Sequence, residues 1–126
     1  MKILICEDEE IMLTALEFRL RKHGYTSVLA EDGKQAIELL QQEMPDLIVA
    51  DIMMPYVTGL QLIDHVRTKL QSQVPIIVIS ALDDDDTVLE AFRLGANDFI
   101  AKPFKPNELI LRIKRIQQEL EVADLA

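Results

Sequence analysis

The chain has 126 residues, a formal net charge of −9 and 49% apolar side chains. That length suits one domain, 1–126, with a single core. The acidic balance argues against a nucleic-acid surface here, because phosphate binding needs clustered Lys and Arg. DNA contact would require a separate domain.

The lone Cys6 permits no internal disulfide and lies in an apolar run, where a small buried hydrophobe is expected rather than a reactive thiol. A reducing, cytoplasmic compartment fits. Met1-Lys2-Ile3-Leu4-Ile5-Cys6 meets acids too early for a signal-peptide core, and no apolar run approaches membrane length.

Short β-branched runs alternate with longer helical patterns, which predicts a parallel sheet with crossover helices. Strands are expected at roughly 2–7, 26–30, 46–51, 75–80 and 97–101, by their Ile and Val content. Helices are expected at about 10–22, 33–43, 59–70, 84–94 and 106–122. Gly24 follows the first helix, Pro45 and Pro75 precede the third and fourth strands, and Gly95 stops the fourth helix. Thr58 can cap the helix beginning at Gly59, and Pro106 or Asn107 can start the last one. The pattern predicts a doubly wound (βα)5 α/β domain.

Open α/β sheets bind ligands outside the carboxyl ends of their strands. Here the polar residues gather at those ends: Glu7 and Asp8 after the first strand, Asp51 after the third, Ser80 after the fourth, Lys102 after the fifth. The flavodoxin-like strand order 2-1-3-4-5 would set Glu7 and Asp8 beside Asp51.

Three carboxylates in one crevice need a compensating cation. An oxygen-only site free of sulfur and imidazole suits Mg²⁺, with Mn²⁺ able to substitute. Glu7 and Asp8 alone could equally cap the following helix. With Asp51 and Lys102 added, the ligand reading is the stronger. Lys102 offers a point charge for a carboxylate or phosphoryl oxygen, and Ser80 a small hydroxyl, although serine is also a common turn or cap residue. These are the parts for phosphoryl transfer onto a carboxylate, which proceeds by positioning and charge neutralisation. The four glycines form no phosphate-binding loop, so the donor is not expected to be a bound nucleotide.

Ile3-Leu4-Ile5-Cys6-Glu7-Asp8-Glu9, Asp51-Ile52-Met53-Met54-Pro55 with Gly59, Ser80-Ala81, and Gly95-Ala96-Asn97-Asp98-Phe99-Ile100-Ala101-Lys102-Pro103-Phe104 occur in that order. Together they resemble the receiver domain of bacterial two-component response regulators, over essentially the whole chain. The resemblance implies that a sensor histidine kinase's phosphohistidine donates to Asp51. It further implies that Asp8 binds Mg²⁺ directly, Glu7 acts largely through water, and the Met53 carbonyl completes the site. Ser80 and Lys102 would contact the phosphoryl group, Phe99 would follow the Ser80 hydroxyl as the switch aromatic, and Lys102-Pro103 would be cis. Phe99 stands where the family often has Tyr, so the ring's hydrogen bond is lost. Met53 and Leu82, two residues beyond Asp51 and Ser80, cannot orient an attacking water, which predicts slow self-dephosphorylation.

On the first helix Met12, Leu16 and Leu20 make a core stripe, with Ile11, Ala15 and Phe18 beside it. A helix packed on both stripes is expected, with kinase docking on the second as the functional alternative. His23 and His65 are expected on helix surfaces, and Asp83 to Asp86 at a solvated helix N-terminus. The mixed charges Glu90, Arg93, Asp98, Lys105, Glu108, Arg112, Lys114 and Arg115 fit solvated faces. They also resemble receivers of winged-helix transcription regulators, which dimerise through the fourth helix, fifth strand and fifth helix by pairs such as Asp98 with Arg112 or Arg115. The helical tail 117–126 fits an N-terminal piece of a longer DNA-binding regulator, its output domain absent here. The alternatives are a stand-alone receiver or phosphorelay carrier, a non-phosphorylatable adaptor, and a haloacid-dehalogenase-like phosphatase, which Met53 disfavours because that chemistry needs an acid there.

Overall fold

A computed structural model describes residues 1–125. Five strands, β1 (Lys2–Cys6), β2 (Thr26–Ala30), β3 (Leu47–Asp51), β4 (Ile76–Ser80) and β5 (Asp98–Ala101), form one parallel sheet in the order β2-β1-β3-β4-β5. The helices are α1 (Glu10–Lys22), α2 (Gly33–Glu43), α3 (Gly59–Asp64), α4 (Asp85–Leu94) and α5 (Pro106–Leu125). This is the expected flavodoxin-like doubly wound fold.

The central strands are apolar on both faces because each face is covered. Leu4, Cys6, Ile48, Ala50 and Val78 pack with α2, α3 and Ala91 of α4. Ile3, Ile5, Val49, Ile77, Ile79 and Ile100 pack with α1 and α5. Strand alternation thus separates two cores on either side of one sheet.

Punctuation works largely as expected. Thr58 and Gln61 form a reciprocal capping box at α3. Asp84 caps α4 by accepting from the Thr87 N–H, and Gly95 ends that helix at φ 119°, a conformation glycine takes without strain. The Lys102-Pro103 bond is cis.

Three expectations change. The helix expected over 59–70 is α only to Asp64 and continues as a π turn, His65–Lys69. There the Leu70 N–H reaches back to the His65 carbonyl at 3.0 Å, and the Thr68 hydroxyl donates to the Asp64 carbonyl at 2.7 Å. In α1 the core stripe is Leu13, Leu16 and Leu20, with Met12 only partly buried. The second stripe is not packed: Ile11 is 80% and Phe18 53% exposed. Third, His65 is half-buried, its Nε2 shut from solvent without a hydrogen-bond partner, whereas His23 is exposed as expected.

Candidate functional site

Each polar residue at the site is delivered by a strand end. Asp51 is the last residue of β3, beside β4 in the register Asp51↔Ile79. Glu7 follows β1 and still donates its N–H to the Ala30 carbonyl of β2 at 3.0 Å, so its backbone is fixed by the sheet. The Lys102 N–H donates to the Ser80 carbonyl at 2.8 Å, which ties the end of β5 to the end of β4. Gly59 lets α3 start against this edge: a Cβ there would lie 2.4 Å from the Asp51 carbonyl oxygen. No side chain larger than hydrogen fits.

The carboxylates converge. Oxygens of Glu7, Asp8 and Asp51 lie within 4.8 Å of one another, with Asp8 exposed and the other two buried. Lys102 Nζ donates to Asp51 Oδ2 at 2.5 Å and to Glu7 Oε2 at 3.1 Å. Asp51 Oδ1 accepts the Met53 N–H at 3.0 Å, and Glu7 Oε1 accepts the Glu9 N–H at 3.3 Å.

Glu7 is only 1% exposed. Burial, then its hydrogen bond and repulsion with Asp51, push its pKa up to about 7, although Lys102 opposes the rise. For Lys102 burial favours the neutral amine, yet the bonds to Asp51 and Glu7 outweigh it, and its pKa rises. The ammonium therefore stays charged, and the Glu7 carboxyl holds a proton more tightly than an ordinary glutamate. A dication among these oxygens would displace that proton, and the hard, oxygen-only donor set fits Mg²⁺.

The other expected residues fall around this centre. Ser80 is fully buried, its Oγ accepting the Leu82 N–H at 2.9 Å, so in this state it is also the turn residue that serine often is. Phe99 is half-buried and packs on the α4 side of the sheet. Met53 and Leu82 are exposed at 57% and 44%. Asp98 pairs with Arg112 at 2.6 Å and Arg115 at 3.0 Å within the chain, so the three charges expected to bridge two copies meet inside one copy. Asp83 to Asp86 are exposed at the α4 N-terminus, as expected.

Sequence reading missed Arg67. It lies in the π turn and donates to the carbonyls of Ser72, Val74 and Gly95 and to Asn97 Oδ1. A cation next to the core residue Val66 was its faint signal.

The chain is 36% identical over 122 residues to the alkaline phosphatase synthesis transcriptional regulatory protein PhoP of Bacillus subtilis (strain 168), covering 97% of this chain and 50% of that protein. It is 43% identical over 115 residues to the probable transcriptional regulator ycf27 of Guillardia theta, covering 91% and 44%. The chain thus spans about half the length of these curated relatives. The receiver domain of Francisella response regulator 1452 superposes with a TM-score of 0.90 at 32% identity, covering 94% of this chain and 98% of that one. The response regulator receiver domain family matches residues 3–114, and with the five-stranded order and these strand-end residues the chain belongs to that family, the receivers of two-component signalling.

Proposed function

We propose that Asp51 is the phosphoacceptor of a Mg²⁺-dependent receiver, taking its phosphoryl group from the phosphohistidine of a sensor histidine kinase. The observation that carries this reading is Lys102 Nζ, held between Asp51 and Glu7 inside a three-carboxylate cluster. In the transfer an Asp51 oxygen forms a bond to phosphorus while the phosphorus–nitrogen bond of the phosphohistidine breaks. The electron pair stays on the imidazole nitrogen.

Glu7, Asp8, Asp51 and the Met53 carbonyl would hold Mg²⁺, which supplies neutralisation of the oxygens' charge when bound. Lys102 has N–H groups to turn from Asp51 to a phosphoryl oxygen, and the Met53 N–H orients the acceptor carboxylate. The Ser80 hydroxyl proton is free to donate to the phosphoryl group while Oγ keeps the Leu82 N–H. Phe99, on the same face, would follow it. The chain is on this reading a self-phosphorylating switch rather than a turnover enzyme.

The partner surfaces follow from exposure. Ile11, Ala15 and Phe18 of α1 are uncovered, and a groove of about 340 Å³ lies between Ile11, Ala15 and the Phe104–Pro106 segment. This favours α1 as the kinase-docking face. Leu89, Phe92 and Leu111 are exposed on α4 and α5 and support homodimerisation through α4, β5 and α5 upon phosphorylation. Relatives about twice as long, both transcriptional regulators by name, support a DNA-binding output domain in a longer chain. No helix among the described residues is long and apolar enough to cross a membrane, and a cytoplasmic location fits the kinase partner. Incubation with a radiolabelled, autophosphorylated sensor kinase tests the donor. Label should pass to the wild type and not to Asp51→Asn; label passing equally to both would overturn the assignment.

A further inference from the structure

Arg67 makes five hydrogen bonds, none of them to a carboxylate. Its Nε and Nη2 donate to the Gly95 carbonyl at 3.1 and 2.8 Å, its Nη1 to the Ser72 and Val74 carbonyls at 2.9 and 2.7 Å, and Nη2 also to Asn97 Oδ1 at 2.9 Å. Burial without a counter-ion holds its pKa below the usual guanidinium value. What stabilises the cation is a ring of carbonyl dipoles, including the negative end of α4.

The same network grips the bases of two strands. Asn97 Oδ1 also accepts the Ile76 N–H at 2.9 Å, and the Asn97 N–H returns to the Ile76 carbonyl at 2.8 Å. Gly95 is fitted to the guanidinium: a Cβ there would lie 2.8 Å from Arg67 Nε. Hence β4, which ends at Ser80, and β5, which carries Phe99 and leads to Lys102, are fixed at their starts.

The opposite end of α4 is different. Ala91 is its one buried residue, and its first turn begins in the exposed run Asp83 to Asp86. That run follows Leu82, whose N–H is held by Ser80 Oγ. A pull on Ser80 therefore reaches the N-terminal end of α4 through one hydrogen bond, while Arg67 holds the C-terminal end.

We propose that Arg67 is a positioning residue that pins the C-terminal end of α4 and the bases of β4 and β5, so that α4 answers phosphorylation by moving at its N-terminal end about a pivot at Gly95. The second half rests on Asp51 being the phosphoacceptor; the first does not.

Amide hydrogen exchange on the whole chain tests both halves, before and after acetyl phosphate with Mg²⁺, with phosphoryl addition followed by intact mass. In the unmodified wild type, Ala96 and Asn97 should exchange at least about tenfold more slowly than Leu89 and Glu90. Arg67→Gln should abolish that gradient while β1 and β3 keep their rates and the extent of phosphorylation is unchanged. Arg67→Lys, which keeps the charge and some of the bonds, should restore part of it. In the phosphorylated wild type the change along α4 should fall on residues 82–90 and spare residues 95–97. Asn97→Ala, which removes one acceptor, should raise exchange at Ile76 and Ala96 and serves if Arg67→Gln does not fold. Wild-type rates at Ala96 in both Arg67→Gln and Asn97→Ala would overturn the pin. So would an equal rise across β1 and β3, which would reduce Arg67 to general stability. A phosphorylation response as large at 95–97 as at 82–90 would overturn the pivot. Absence of phosphoryl addition would overturn the phosphoacceptor reading and with it the pivot, while the exchange gradient would still judge the pin.

Discussion

Lys102 and Asp51 meet at 2.5 Å, Nζ to Oδ2, at the carboxyl edge of the sheet, and the same ammonium reaches Glu7 at 3.1 Å. Lys102 is thus the counter-charge that permits two buried carboxylates to share this edge. Breaking a buried pair by removing one partner leaves an uncompensated charge.

Lys102→Met should therefore destabilise the metal-free protein by about 1–3 kcal/mol at pH 7. Glu7 can relieve part of this by taking a proton, so the deficit should shrink near pH 5. Urea denaturation with chelator at the two pH values checks this; an equal deficit at both would contradict it.

Glu7 also sets a pH dependence. Its folded pKa of about 7 lies above its ordinary 4.5, so the native state binds the proton more tightly than the unfolded chain. The stability this group contributes in the metal-free protein is therefore greatest below about pH 4.5, falls as pH rises to about 7, and is level above. Mg²⁺ competes with that proton, and its affinity should rise up to about tenfold per pH unit until about pH 7. Calorimetric Mg²⁺ titrations at pH 6 in two buffers of different ionisation enthalpy should register proton release. Identical heats would contradict it.

Gly59→Ala tests how tightly α3 is seated on Asp51. With a Cβ 2.4 Å from the Asp51 carbonyl, the helix start or the end of β3 must shift. Overpacking of this kind costs about 1–3 kcal/mol. Because the shift falls on the acceptor, Mg²⁺ affinity and the rate of phosphorylation should drop together. Wild-type values for both, beside a lowered stability, would place the strain elsewhere.

Met53 and Leu82 flank the acceptor with exposed thioether and isobutyl groups, neither able to hold an attacking water. Replacing both with Asn should shorten the phosphorylated lifetime on the order of tenfold, the worth of one hydrogen bond of about 1.4 kcal/mol in the transition state. Loss of label after donor removal measures it, and an unchanged lifetime would contradict this account.

Much of the site is legible in the sequence, because strand ends announce themselves: an apolar run that stops at Asp51, Ser80 or Lys102 puts those residues on one edge once the sheet is parallel. Three features lay beyond that reading. The π turn at His65–Lys69, where the Thr68 hydroxyl takes the Asp64 carbonyl, has no signature in the helical periodicity. Asp98 pairs with Arg112 and Arg115 in its own chain because β5 packs directly on α5, and charge alone does not distinguish an internal from an external partner. On α1, both stripes have helical spacing; only the actual seating of Leu13 on the sheet leaves Ile11 and Phe18 uncovered.

The central claim is that Asp51 is the acceptor, and intact-mass measurement after incubation with acetyl phosphate and Mg²⁺ tests it most directly. The account predicts a long-lived addition of one phosphoryl group to the wild type, none to Asp51→Asn, and none when chelator replaces Mg²⁺. A phosphoryl group that still adds to Asp51→Asn, a wild type that never gains one, or turnover of acetyl phosphate without accumulation would contradict it.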